Sequence, residues 1–156
     1  MTAALAAQVA TFLLTRERTL AVAESCTGGT IANLITDLPG ASRYFLGGII
    51  AYTNTAKTAL LGISPQTLLT HGAVSDAVAR QMALGVQTRF GADYAIATTG
   101  IAGPSGGTKD KPIGTVYIAV ATPTSVHVAP GFFPGERLAF KHAVASAAFT
   151  LLQHVP

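Results

Sequence analysis

The segment from Leu20 to Leu38 most constrains the fold that this chain can adopt. A short apolar run, Leu20 to Ala23, is followed by the polar, glycine-containing stretch Glu24 to Thr30 and then by an amphipathic stretch, Ile31 to Leu38. This order predicts a buried strand, a tight turn and a helix, which is the repeating unit of α/β proteins. Because the free N–H groups at a helix start attract anions, such a turn is a place where this kind of fold binds a small anionic ligand.

The rest of the chain continues the alternation of strand and helix patterns. Further strands are predicted at about Phe45 to Tyr52, Tyr94 to Ala97, Ile113 to Ala121 and Val126 to Phe133. Further helices are predicted at about Ala3 to Thr15, Asn54 to Leu61, from Ser64-Pro65, Asp76 to Phe90, and Glu136 to Gln153. We therefore expect one domain over residues 1–156, a three-layer α/β/α sandwich with a mixed, mostly parallel sheet of about five strands. The last two strands should form an antiparallel hairpin at its edge.

Composition limits the possible partners. Hydrophobic residues make up 49% of the chain and charged residues 11%, yet no apolar run reaches the ~18 residues of a membrane span. We therefore expect a sheet buried on both faces, an apolar interface in a homo-oligomer, and no membrane partner. The net charge of +3 is small and scattered, so nucleic acid is not expected either. The charges at Arg16 to Arg18 follow the apolar start instead of preceding it, which argues against a signal peptide, and with a single cysteine we expect a cytoplasmic location.

Three polar loops follow predicted strands. They are Glu24 to Thr30, Tyr52 to Lys57, and the Gly- and Pro-rich stretch Thr98 to Pro112. Because the carboxyl ends of parallel strands meet at one edge of a sheet, we expect these loops to converge there and form a small-ligand site.

Familiar catalytic motifs do not fit these loops. No G-x-S-x-G motif surrounds Ser25, no G-x-G-x-x-G is present, and Thr108 stands where a P-loop needs glycine before its lysine, here Lys109. The four histidines form no close pair, so no metal site is expected. Spacing alone therefore indicates a small-ligand site without naming a reaction.

Several residues of the first two loops have both a catalytic and a structural interpretation. Ser25 is either a nucleophile or a cap of the second helix. Lys57 is either a partly buried amine with a lowered pKa that takes a proton from a serine, or an ordinary solvated lysine. Tyr52 either relays or orients that proton transfer or is a core tyrosine. Cys26 lacks a neighbour that would lower its pKa, so we interpret it as a small buried thiol.

Three more polar residues also have two interpretations each. Thr99 either binds ligand through its hydroxyl or belongs to a turn. Glu24 either locks the turn or orients a neighbour. Arg137, at the start of the last helix, either binds an anion or lies on the surface.

Taken together, the loops resemble the C-terminal domain family of the competence/damage-inducible protein CinA. The resemblance covers most of the chain from Leu20 to Ala121 and is weaker after Gly135, and the chain resembles the stand-alone form of the family. Two departures are Ser105, where glycine is frequent, and Thr53-Asn54-Thr55, where Ser-Asn-Glu is common. The matching stretches are Ala-Glu-Ser-Cys-Thr-Gly-Gly at 23–29, Leu-Pro-Gly-Ala-Ser at 38–42, Tyr-Thr-Asn-Thr-Ala-Lys at 52–57, Gly-Ala-Val-Ser at 72–75, Thr99 to Thr108, and Lys111 to Tyr117.

The resemblance implies hydrolysis of the carboxamide of nicotinamide mononucleotide to nicotinate mononucleotide and ammonia. It implies Ser25 as nucleophile, with Lys57 and Tyr52 as the residues that activate it, a small-molecule nucleotide as partner, and no metal or organic cofactor. The residues expected to bind substrate are Thr27, Gly28, Gly29, Asn54, Thr99, Gly100, Gly103, Gly106, Gly107, Thr108 and Arg137.

Two functional hypotheses follow from the sequence. The first is the amidohydrolase, and the second is a nucleotide-binding or sensor module of the same fold without turnover. The presence of Ser25, Lys57 and Tyr52 together favours the first. The backbone N–H groups that begin the second helix are candidates to hold either the oxyanion of the reaction or the phosphate of the ligand.

Overall fold

A computed structural model describes residues 1–156 of the chain. Six α-helices, one short 3-10 helix and five strands follow one another in an alternating order. In chain order they are α1 (Thr2–Thr15), β1 (Leu20–Glu24), α2 (Thr30–Thr36), the 3-10 helix Ala41–Arg43, β2 (Phe45–Ile50), α3 (Asn54–Leu61), α4 (Pro65–His71), α5 (Asp76–Phe90), β3 (Tyr94–Gly100), β4 (Thr115–Ala121), β5 (Val126–Phe132) and α6 (Arg137–His154).

The five strands form one mixed sheet in the order β2-β1-β3-β4-β5. Strand β1 pairs in parallel with both β2 and β3, while β3 with β4 and β4 with β5 pair antiparallel. The predicted α/β/α architecture with its late antiparallel hairpin is confirmed. Because β1, β2 and β3 run in the same direction, their carboxyl ends lie at one edge of the sheet.

The two faces of the sheet bury side chains of different size. Toward α1, α2 and α6 the strands present large residues, such as Leu20, Val22 and Ile96. Toward α5 they present mainly alanine, at positions 21, 23, 95, 97, 119 and 121. Small side chains let a helix approach the sheet closely, so α5 lies directly on it.

Helix α5 approaches α3 with similar closeness. A Cβ added to Gly85 would clash with the backbone oxygen of Leu61, the last residue of α3. Glycine inside a helix costs roughly 1 kcal/mol relative to alanine, and here the close contact of the two backbones explains its use. The position of α3 matters because that helix carries Lys57.

Local capping residues explain where the helices near the site begin. Ser75 caps α5 by accepting a hydrogen bond from the N–H of Val78, as its sequence position predicts. Helix α3 is capped by the residue just before its predicted start. Thr53 is the cap, since its hydroxyl accepts from the N–H of Ala56, and Asn54 is the first helical residue.

Strand β3 is longer than its composition predicts. We expected a loop from Thr98, but residues 98 to 100 continue the strand, because they pair with residues 116 to 118 of β4. This pairing fixes the backbone of Thr99 and Gly100 at the edge where the parallel strands end. None of the helices combines the length and hydropathy that a membrane span requires.

Candidate active site

A cleft of about 260 Å³ opens where the parallel strands end. The loops after β1, β2 and β3 all contribute to it, so the predicted convergence is observed. Nine of the residues expected to act at the site line this cleft: Ser25, Tyr52, Asn54, Lys57, Thr99, Gly100, Gly103, Gly106 and Arg137.

Ser25 and Lys57 form a direct, buried pair at the base of the cleft. Lys57 Nζ lies 3.0 Å from Ser25 Oγ and 3.1 Å from the carbonyl oxygen of Tyr52. Ser25 is 7% exposed and Lys57 is 2% exposed. The burial of Lys57 excludes an ordinary solvated lysine. Ser25 does not cap α2, because its side chain accepts no hydrogen bond from that helix.

Burial favours the neutral form of the lysine. Desolvation lowers the pKa of Lys57 below the value of a free lysine, and no Asp or Glu side chain lines the cleft to stabilise an ammonium. A neutral amine carries two hydrogens and one lone pair. It can therefore donate to the Tyr52 carbonyl oxygen and accept the proton of the Ser25 hydroxyl at the same time.

The amides that begin α2 are already occupied. The carboxylate of Glu24, 1% exposed, accepts from the N–H of Ile31 at 2.9 Å and from the N–H of Ala32 at 3.0 Å. At these two amides Glu24 fills, from within the chain, the position that an oxyanion or a phosphate would take. Anion binding at the other amides of the turn stays a prediction. Of the two structural roles considered for Glu24, the one supported is locking the turn onto α2.

The amides just after Ser25 are in a different situation. Within the chain, the backbone N–H groups of Cys26 and Thr27 donate to no oxygen acceptor. The Cys26 thiol itself is buried, and burial raises its pKa to about 12, so it is a poor nucleophile at neutral pH. This agrees with interpreting Cys26 as a small buried thiol that packs beside the nucleophile.

Arg137 joins two of the loops at the mouth of the cleft. Its Nη1 donates to the carbonyl oxygen of Gly103 and its Nη2 donates to the hydroxyl of Tyr52, each at 2.6 Å. Tyr52 is 56% exposed and is not a core residue. Its carbonyl oxygen contacts Lys57, whereas its hydroxyl contacts Arg137.

Thr99 brings a segment into the site that we did not predict. Its hydroxyl donates to the carbonyl oxygen of Ala73 at 2.8 Å, and both Ala73 and Val74 line the cleft. The stretch 72–75 was among those that carry the family resemblance, which was the only sequence signal for it. Ile101, Ala102 and Ser105 complete the wall formed by the loop after β3.

Five residues expected to bind substrate do not line the cleft. Thr27 is fully buried, with its hydroxyl 2.8 Å from that of Thr98. Gly28 and Gly29, both with positive φ, form the turn into α2 and line a separate depression beside His142. Gly107 packs on Ile113, and Thr108 closes a turn with Lys111. A role for these five in binding stays a prediction that no contact in the cleft supports.

The cleft as a whole contains a serine hydroxyl, a desolvated lysine amine and one guanidinium. No group of three or more His, Cys, Asp or Glu side chains comes close enough together to hold a metal ion. A hydroxyl beside a desolvated amine, with two backbone amides nearby that donate to no oxygen acceptor in the chain, is the set of groups that acyl transfer uses.

Comparison with known proteins relates the chain to one family. The family model described as CinA C-terminal domain matches residues 2–155. A CinA-like protein of Thermosynechococcus vestitus is 54% identical over 134 residues, covering 85% of this chain and 32% of that protein. A CinA-like protein of Desulfosudis oleivorans is 55% identical over 123 residues, covering 79% and 30%. The chain thus spans about a third of the length of the curated relatives it matches.

Solved structures show the same fold over nearly the whole chain. The competence/damage inducible protein CihA from Agrobacterium tumefaciens superposes with a TM-score of 0.95 at 37% identity, covering 97% of this chain and 93% of that one. The competence damage-inducible protein A (ComA) from Klebsiella pneumoniae superposes with a TM-score of 0.94 at 33% identity, covering 97% and 94%.

Proposed function

Because the chain belongs to the CinA C-terminal domain family, we propose that it hydrolyses the carboxamide of nicotinamide mononucleotide to nicotinate mononucleotide and ammonia. The observation that carries this proposal is the buried 3.0 Å contact between Lys57 Nζ and Ser25 Oγ at the base of a cleft. Burying a lysine side chain costs free energy, because desolvation disfavours its charged form. Its placement against a serine hydroxyl is the arrangement that Ser–Lys acyl-transfer chemistry requires.

The first half of the reaction transfers the acyl group to the serine. Neutral Lys57 takes the proton of the Ser25 hydroxyl while Oγ attacks the carboxamide carbon, which forms a tetrahedral oxyanion. The N–H of Cys26 follows the nucleophile directly and donates to no oxygen acceptor in the chain, which supports it as the donor to that oxyanion. The Lys57 ammonium then gives its proton to the amide nitrogen, which leaves as ammonia, and an ester on Ser25 remains.

The second half releases the product. Lys57, neutral again, takes a proton from a water that attacks the ester carbon. The second tetrahedral oxyanion collapses and expels Ser25 Oγ, which recovers a proton from Lys57. The product forms as a carboxylic acid, which gives its remaining proton to the released ammonia or to water and leaves as the carboxylate. Both side chains return to their starting protonation states. No step requires a metal or an organic cofactor.

Replacing the nucleophile tests the proposal directly. Ser25→Ala should abolish ammonia release from nicotinamide mononucleotide, because Ser25 carries the only side-chain hydroxyl that hydrogen-bonds the Lys57 amine. Cys26→Ala should keep most of the activity, because the thiol with a pKa of about 12 is not the nucleophile. Ammonia release by the purified wild type and both variants is the measurement, with circular dichroism to verify folding.

The opposite pattern would refute the proposal. Full activity in Ser25→Ala, or loss only in Cys26→Ala, would reverse the assignment of the nucleophile. Tight binding of the nucleotide by a wild-type protein that releases no ammonia would instead favour a binding or sensor module.

A further inference from the structure

The side chain of Tyr52 makes no hydrogen bond to the Ser25–Lys57 pair. Tyr52 reaches Lys57 only through its backbone carbonyl oxygen, which any residue at this position would provide. The ring lies at the mouth of the cleft, and its hydroxyl oxygen accepts a hydrogen bond from Arg137 Nη2 at 2.6 Å. The partner of the hydroxyl is therefore a cation at the rim and not the base below it.

Arg137 is a cation without a neutralising partner. Its two acceptors, the Gly103 carbonyl oxygen and the Tyr52 hydroxyl, carry no charge, and neither of the two ion pairs of the protein includes it. No carboxylate lines the cleft. Because a guanidinium keeps its proton throughout the working pH range, a positive charge stands at the mouth of the cleft, above an amine whose pKa burial lowers.

The two contacts fix the guanidinium and leave part of it unused. Of its five N–H donors two are engaged, one on the Gly103 carbonyl oxygen and one on the Tyr52 hydroxyl, which leaves three for a ligand. A planar fork of this kind fits the oxygen atoms of a phosphate or a carboxylate. Holding a long flexible side chain in place before the ligand arrives removes part of the entropy cost of binding.

We propose that Arg137 recognises the anionic end of the substrate and that the Tyr52 hydroxyl is a positioning residue for Arg137, with no part in proton transfer. The cleft then selects carboxamides that carry an anionic group over neutral ones. This inference rests on the proposed function and deepens it. It also replaces the expectation that Tyr52 helps to activate the serine.

Two substrates that differ only in the anionic group test the inference. Nicotinamide mononucleotide and nicotinamide riboside present the same carboxamide with and without phosphate. The readout is the ratio of their kcat/KM values. Arg137→Gln should lower this ratio about tenfold or more, the usual effect of losing a charge-assisted contact, and Tyr52→Phe should lower it about threefold or more, mainly through KM of the mononucleotide.

Two further measurements separate positioning from a general structural effect. Because Tyr52 acts through Arg137, the double variant Tyr52→Phe with Arg137→Gln should be no less selective than Arg137→Gln alone. The pH midpoint of kcat in Tyr52→Phe should equal that of the wild type. Tyr117→Phe is the matched control, since the Tyr117 hydroxyl lies outside the cleft and has no hydrogen-bond partner, and its ratio should match the wild type.

Other outcomes would overturn the inference. If Tyr52→Phe lowers kcat equally for both substrates, or shifts the pH midpoint, the hydroxyl takes part in the chemistry. If Arg137→Gln leaves the ratio unchanged, the anion is recognised elsewhere. If the wild type releases ammonia from neither compound, the proposed function fails, and calorimetric dissociation constants decide the inference alone. Equal affinity for the two compounds, or none for either, would then refute it.

Discussion

Lys57 shows how a single residue acquires basicity from its surroundings. Its stem lies in α3, its Nζ reaches the Ser25 hydroxyl, and no anionic side chain lines the cleft around it. Desolvation is the largest cause of its lowered pKa. A carboxylate beside Lys57 would raise the pKa of the lysine and favour the charged ammonium. The absence of an acidic side chain from the cleft therefore helps to keep this pKa low.

The pH dependence of turnover follows from this lowered pKa. Below it Lys57 is an ammonium that cannot accept the Ser25 proton, so activity should rise with pH through the lowered pKa and then level off. Lys57→Arg should lose about 100- to 10,000-fold in kcat, because a guanidinium keeps its proton and general-base catalysis is worth about that much. A pH–rate profile of the wild type beside the arginine variant checks both statements. A flat profile together with an active arginine variant would remove Lys57 from the mechanism.

At the scale of elements, α2 depends on a carboxylate from the preceding strand. Glu24 is the last residue of β1 and receives two amide donors of the first turn of α2, so one side chain joins strand and helix across the loop that carries Ser25. A helix of seven residues has little intrinsic stability. The orientation of the loop with the nucleophile therefore depends on this buried contact.

Glu24→Gln should reduce the free energy of unfolding by about 1–3 kcal/mol, because the amide offers one acceptor oxygen and leaves a buried N–H without a partner. Urea denaturation is the measurement. Asp37→Asn, at the exposed end of the same helix, is the control and should change stability by less than about 0.5 kcal/mol. Equal stability of Glu24→Gln and wild type would mean that the carboxylate does not hold the helix.

The boundaries of α5 and β3 show which element ends the sequence pattern alone could predict. Helix α5 was predicted to the residue, because Ser75 and Gly91 mark its two ends with local signals. The end of β3 was missed, because its last residues are held by pairing with β4, which comes later in the chain. Local composition cannot report such a pairing.

The same distinction applies to the site. The rule that parallel strands end at one edge was enough to bring Ser25 and Lys57 together. The contribution of Ala73 could not be predicted, since it depends on a hydrogen bond from Thr99, and the direction of the Tyr52 hydroxyl depends on Arg137 at the start of α6. These contacts are set by tertiary packing and not by spacing in the sequence.

At the scale of the whole molecule, the buried Lys57 amine should make the free energy of unfolding depend on pH. The unfolded chain holds the Lys57 proton up to the ordinary lysine pKa of ~10.4, whereas the folded chain releases it at lower pH. Between the two values the unfolded state binds more protons, so the free energy of unfolding rises with pH and then levels off. The cost of burying the lysine is therefore largest at the acidic side of this window.

Lys57→Met should remove this dependence while keeping an apolar stem of similar length. Relative to the variant, the wild type should gain stability as the pH rises from the lowered pKa of Lys57 toward ~10. Chemical denaturation at several pH values is the measurement. Lys109→Met, in an exposed loop, is the control and should follow the wild type throughout. A pH-independent difference between wild type and Lys57→Met would contradict a buried neutral amine.

The close contact between α3 and α5 at Gly85 connects this chemistry to the assembly of the fold. Lys57 is 32 positions away from Ser25 in the chain, and its amine loses water only when α3 is pressed onto the rest of the molecule. In a disordered chain the same lysine is an ordinary cation and the same serine an inert alcohol. Both the desolvation of the amine and its contact with Ser25 thus require α3 to be packed in place. If the proposed function holds, the recovery of turnover after dilution from denaturant should follow the docking of α3.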